Sequence, residues 1–251
     1  MAGDRSEMSF LDHLDELRKR LIRSAVACIV GATIAWYFVD RVIDALAAFV
    51  GKVYFMAPAE AFTTRLKLSV IMGIMLAIPV ISYQLWQFVS PGLYPREKKM
   101  VVPVVLASTL FFAAGASFCY FLVLPAALKF LMGYGTENLN PLISVGNLLS
   151  FCAYFVLSFG IVFELPVAMY FLGRIGVITH RTLRKFRRYA IVLAFIIGAI
   201  LTPPDVFSQL MLSIPLLALY ELSIAVVWLT GRERTPSNPY DDDEREIGHT
   251  G

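Results

Sequence analysis

The chain has 251 residues, 58% of them hydrophobic and only 16% charged, with a formal net charge of +3 and a mean hydropathy of +0.68. That balance excludes an ordinary soluble domain and indicates an integral membrane protein. The net charge says little by itself, because the placement of Lys and Arg along such a chain matters more than their sum.

In chain order, the first feature is SFLDHLDELRKRL, beginning at Ser9. Ser9 is a helix N-cap with Asp12 three residues on, close to a capping box, and Phe10, Leu14, Leu17 and Leu21 recur at helical spacing. An amphipathic helix over about 9–20 is expected at the membrane interface, its apolar face toward lipid and Asp12, Glu16, Lys19 and Arg20 on the other side. Read by itself, the segment needs no function: Glu16 and Arg20 form an i, i+4 pair worth a few tenths of a kcal/mol. His13 has no second histidine nearby, since His180 and His249 lie far along the chain, and no metal-ligand spacing is present, so no metal site is expected.

A positive segment followed by an apolar one also describes a secretory signal peptide. Residues 1–20 carry five acids beside four bases, and Asp40 and Asp44 lie where cleavage would occur, so the first apolar stretch is expected to be retained as a helix. A span needs about 20 mostly apolar residues. Leu21–Val39, Leu68–Val89, Val101–Leu124 and Leu148–Leu172 meet or approach that length. The last apolar region, from Tyr189 to Leu229, is interrupted at Thr202-Pro203-Pro204-Asp205, where two prolines force a turn. The first arm of this hairpin has only 13 residues and the second 15 before Glu221, so helices five and six are expected to be short and the membrane around them thin. The fold class is all-α, with six transmembrane helices over residues 1–230 and a polar tail, 231–251, expected to be disordered.

Six spans place both termini on one side. Seventeen of the Lys and Arg residues lie there, against five (Arg41, Lys52, Arg65, Lys67 and Lys129) opposite, so the termini are expected in the cytoplasm of a cell with this protein in its plasma membrane. Cys28, Cys119 and Cys152 sit in apolar stretches without disulfide or metal spacing and read as packing residues. No phosphate loop, dinucleotide fingerprint or nucleophile elbow is present, so neither an enzyme nor a cofactor is expected.

Three further places carry polar chemistry. The loop SPGLYPREKKM, 90–100, holds Glu97 as its only acid in a rigid Pro-rich turn, although Arg96, Lys98 and Lys99 are also sufficient as topology determinants. Glu164 is the only charged residue within Leu148–Gly173, ten residues from Arg174 and thus about 15 Å along a helix, near half depth. A charge there is costly and marks a functional path, with a protonated, hydrogen-bonded Glu as the structural alternative; Pro166 loosens the same turn. Asp205 is placed to cap the sixth helix, which alone explains its residue type.

HLDELRKRL at 13–21, SPGLYPREKK at 90–99, FGIVFELPV at 159–167 and LTPPDVFSQ at 201–209 occur together in an order that resembles the TatC family, the six-span core subunits of twin-arginine protein translocases. The resemblance runs over roughly residues 8–229 and implies a concave bundle that acts as receptor for folded proteins bearing an Arg-Arg signal peptide. It implies that Glu16 and Glu97 contact the arginine pair and that Arg18 and Arg20 orient the glutamates or hold headgroups. It also implies that Glu164, Asp205 and Gln209 meet the single-span partners TatA and TatB. The physics is consistent: a guanidinium forks onto a carboxylate with two parallel hydrogen bonds, which lysine cannot reproduce. Further copies of the chain and the lipid bilayer are expected partners, nucleic acid is not, and the proton gradient is the implied energy source. The rival reading is a proton-coupled small-solute transporter with Glu164 as relay.

Overall fold

A computed structural model describes residues 10–51, 53–89, 101–133, 143–201 and 205–230. Among these, regular structure is helical throughout, apart from one isolated bridge between Tyr54 and Ser144. Helix α1 (Phe10–Trp36) runs unbroken for 27 residues. The amphipathic segment and the first span are therefore one helix, because no Gly or Pro interrupts it before Gly31. The proposed Ser9 cap lies outside the described residues. After a bend of 68° the chain continues as α2 (Val39–Ala47), which buries Val39 and Leu46 and keeps Asp40, Arg41 and Asp44 exposed. Asp40 pairs with Arg65 of the next helix at 2.5 Å.

Helix α3 (Glu60–Val89) is the second span. The third is α4 (Val101–Phe118), a π-helical turn over Cys119–Val123, and α5 (Leu124–Met132), together 32 residues. The widened turn falls just ahead of Pro125, whose ring would clash with a regular i−4 carbonyl. Helices α6 (Val145–Phe163) and α7 (Leu165–Arg174) form the fourth span, α8 (His180–Leu201) the fifth and α9 (Val206–Thr230) the sixth. At 22 and 25 residues, the last two are the shortest of the six, as expected from the hairpin. The first turns of α8, HRTLRKFRR, are polar, which leaves only the 13 residues from Tyr189 as apolar length.

Small residues set the closest approaches. A Cβ at Gly31 would stand 2.5 Å from the carbonyl oxygen of Gly73, and one at Gly73 would stand 2.3 Å from the backbone nitrogen of Ala32, so α1 and α3 touch backbone to backbone. Helices α4 and α6 interlock reciprocally: Phe163 fills the place of a side chain at Gly115, and Phe112 fills the place of one at Gly160. Without a hydrophobic drive between helices in lipid, such close packing is what holds spans together. The central core contains Leu68, Leu124, Leu149, Phe155, Phe159 and Leu212, with Cys119 and Cys152 fully buried among them as free thiols.

Among the described residues, helix α1 packs principally on α3, α3 on α4 and α6, α4 on α6, α7 on α9, and α9 on α8. The last pair is tied by polar contacts: the Tyr220 hydroxyl donates to the Leu183 carbonyl at 2.8 Å, and Arg187 pairs with Glu221 at 2.5 Å.

On the face carrying α2, Glu60 latches two connections together. Its Oε2 accepts from the backbone N–H groups of Met56 at 2.5 Å and Ala57 at 3.2 Å, and its Oε1 accepts from Gly146 N–H at 2.8 Å and from the Ser144 hydroxyl. The Ser144 oxygen also caps α6 by accepting from Asn147 N–H. Tyr54 exchanges two backbone hydrogen bonds of 3.0 Å with Ile143 and Val145. This latch fixes the ends of α3 and α6 relative to each other.

Candidate functional site

Three polar clusters stand on this scaffold. The first lies where α1 begins and α3 ends. One turn of helix separates Glu16 from Arg20, and Arg20 directs both Nε (3.0 Å) and a terminal nitrogen to the same carboxylate oxygen, Oε1. Its other terminal nitrogen makes a long 3.5 Å contact with Oε1 of Gln84, a buried residue of α3. The pair is largely withdrawn from the surface, Arg20 being 12% and Glu16 23% exposed at the side chain. His13 stacks on Phe88 with ring centroids 4.4 Å apart, a second pin between the same helix ends. The i, i+4 ion pair is thus real, and it is anchored to a second helix rather than solvated. Arg18 is exposed and joins no contact of this cluster among the described residues. Glu97 lies outside the described residues.

The second cluster is in mid-membrane. The fourth span breaks at Glu164, between α6 and α7, two residues ahead of Pro166. Ser108 of α4 faces the Glu164 carboxyl, and Trp86 of α3 donates its indole N–H to Ser108 Oγ at 3.4 Å. The indole packs on Phe171 of α7 with centroids 4.3 Å apart. Three spans therefore converge on one carboxyl group, whose Oε1 is buried without a hydrogen-bond partner among the described residues. A buried, unsatisfied acid oxygen is costly, so its position at the meeting of three helices calls for an explanation.

The third cluster lies at the start of α9, where it packs on α8. Asp205 Oδ1 accepts from Ser208 N–H at 2.7 Å, the cap expected from sequence, while Oδ2 and the Ser208 hydroxyl are buried and unpartnered among the described residues. Gln209 donates to the carbonyl of Phe195 at 3.0 Å, and Ser213 to that of Ala194 at 3.2 Å. Gly198 leaves room for both side chains, because a Cβ there would stand 2.6 Å from Ser213 Oγ. Asp205→Ala is expected to cost about 1 kcal/mol through the lost cap, read as a lower midpoint of thermal unfolding in detergent. The structure unites Asp205 and Gln209 on one turn and Glu16 with Arg20 on another helix; Glu164 contacts neither group among the described residues.

The chain is similar to known proteins in sequence and in fold. The family model "Sec-independent protein translocase protein (TatC)" matches residues 12–215. The chain belongs to the TatC family. It is 41% identical over 253 residues to a TatC of Desulforapulum autotrophicum, covering 98% of this chain and 92% of that one. It is 44% identical over 235 residues to a TatC of Aquifex aeolicus, covering 90% and 98%. A crystal structure described as the twin arginine translocase receptor TatC superposes with a TM-score of 0.79 at 45% identity, covering 88% of this chain and all of that one. As a TatC-family protein the chain is a core transport subunit of a Tat translocase, a membrane component that works with other Tat subunits and not an enzyme.

Four residues, three beside these clusters and one in the latch between α3 and α6, escape a reading of the sequence. Gln84, Trp86 and Ser108 are uncharged and fall within apolar spans, where only their burial shows that they hold Arg20 and face Glu164. Glu60 is charged but sits in the unremarkable run MAPAEAF, and two of its four bonds reach a segment more than eighty residues away. A polar residue inside a 20-residue apolar window was the one available signal for the first three.

Proposed function

We propose that this chain is the receptor of its translocase, taking the two arginines of a signal peptide on Glu16 and Glu97 at the cytoplasmic face, with both termini in the cytoplasm. The observation that carries this reading is the preset geometry of Glu16. Arg20 places both of its bonds on Oε1 and, braced against Gln84, holds the carboxylate in one orientation, leaving Oε2 to accept from an incoming guanidinium. A helix braced in this way loses little entropy on binding. Glu97, in the loop that follows α3, supplies the second carboxylate, and exposed Arg18 holds lipid headgroups.

After the arginine pair is bound, the apolar part of the signal peptide inserts along the bundle, and TatA- and TatB-type single-span subunits meet the chain at Glu164 and at the Asp205–Gln209 turn. The unpartnered oxygens of Glu164 and Asp205 support contacts of this kind. The thin region around α8 and α9 lowers the local barrier, and the proton gradient drives export. Crosslinking a twin-arginine signal peptide to the purified protein tests the reading. Strong labelling that disappears with Lys-Lys in place of Arg-Arg is expected; equal labelling of both peptides would overturn it.

At Glu164, a partner contact through a neutral or charged polar group gives a specific pattern. Glu164→Gln is expected to keep partner association and export near wild type, and Glu164→Leu to reduce both, as read by co-purification and an export assay. If leucine is as good as glutamine, the residue is a tolerated core acid.

A further inference from the structure

Between α2, α3, the π-helical turn and α6 lies an apolar groove of about 420 Å³, open along its flank. Met72, Met75, Phe121 and Val156 form much of its wall, and Arg41 stands at its α2 end. We propose that this groove is a site for an anionic glycerophospholipid, with one acyl chain along the methionines and the phosphate on Arg41.

The lining argues for a chain of methylenes, since nearly all of the groove's wall is apolar. Methionine walls are adaptable and suit a flexible aliphatic occupant.

Depth agrees. Trp36 and Tyr37, 40% and 81% exposed at the end of α1, mark the aromatic belt of a membrane interface, and Arg41 follows within the next helix turns, at headgroup level. Charge agrees as well. Helix α2 separates its charges: Asp40 and Asp44 line a different cavity with Arg65, and Asp40 is already paired to Arg65. Arg41 borders the apolar groove instead, its guanidinium resting over the Phe38 ring 5.8 Å from its centre and with no carboxylate within ion-pair distance among the described residues. A cation at the mouth of an apolar channel matches a phosphate with a hydrocarbon tail.

The test reconstitutes the full chain in vesicles of equal phosphatidylglycerol and phosphatidylcholine, re-extracts it in mild detergent and weighs the retained lipid by native mass spectrometry. One lipid per chain is expected, with phosphatidylglycerol favoured about fivefold, the worth of one cation near the surface. Arg41→Gln is expected to remove the preference, and Met72→Trp, which fills the groove, to remove the lipid. Should Met72→Trp fail to accumulate, Ser117→Phe from the exposed rim gives the same readout. Equal retention of the two lipids by the unaltered chain, or an undiminished preference in Arg41→Gln, would overturn the site. So would a photo-crosslinker at Ser117 that captures a signal peptide or a second copy in place of phospholipid.

Discussion

Glu16→Ala is expected to weaken binding of a twin-arginine signal peptide by about 10- to 100-fold, the worth of one charge-assisted hydrogen-bonded contact of roughly 1.5 to 3 kcal/mol. The loss has two sources. The carboxylate that receives the guanidinium is gone, and Arg20, only 12% exposed, is left without its anion while still close to Gln84. An unpaired and nearly buried arginine then competes with the peptide for any acid within reach. Glu16→Gln separates the two effects, since an amide oxygen still accepts from Arg20 but carries no charge for the ligand. Affinity measured by fluorescence anisotropy of a labelled signal peptide is expected to fall for both variants, and the thermal midpoint to fall mainly for Glu16→Ala.

Gly73→Leu is expected to abolish the folded protein. The obstacle at this position is backbone, with Ala32 N at 2.3 Å and Ala32 Cα at 2.5 Å from an added Cβ, so no side-chain rotation relieves it. Helices α1 and α3 must part, at a cost above the roughly 1 to 3 kcal/mol of ordinary overpacking. Separation would also pull Arg20 from Gln84 and His13 from Phe88, because the same helix pair carries both contacts. Gly73→Ala is expected to give a reduced yield of monodisperse protein, and whatever folds is expected to bind signal peptide more weakly. Size-exclusion chromatography followed by the anisotropy assay checks both parts.

The spans were legible because hydrophobic length and proline position carry them. Leu148–Leu172 needed nothing else, whereas the count of 15 apolar residues before Glu221 understated the sixth helix, which continues through Glu221 to Thr230 because the residues beyond are again apolar. The unbroken α1 was harder to see, since LRKR reads as a boundary by polarity although every residue in it is a good helix former. Glu16 and Glu164 stood out as acids in places where acids are costly. What surrounds them did not: the Gln84 brace and the Ser108–Trp86 pair depend on which faces of three helices meet. That is fixed by the glycine contacts of α1 with α3 and of α4 with α6, not by any local pattern. The Glu60 latch is long-range in the same sense, joining Met56 and Ala57 to Ser144 and Gly146.

A double-mutant cycle on peptide affinity tests the receptor reading most directly. The purified chain and its Glu16→Gln and Glu97→Gln variants, singly and together, are titrated with Arg-Arg, Arg-Lys, Lys-Arg and Lys-Lys signal peptides. Each glutamate is expected to couple to one arginine, so that its substitution costs about tenfold or more against the Arg-Arg peptide and little once that arginine is lysine. Losses that are the same for all four peptides would contradict the account, because the two glutamates would then support the fold without reading the arginine pair.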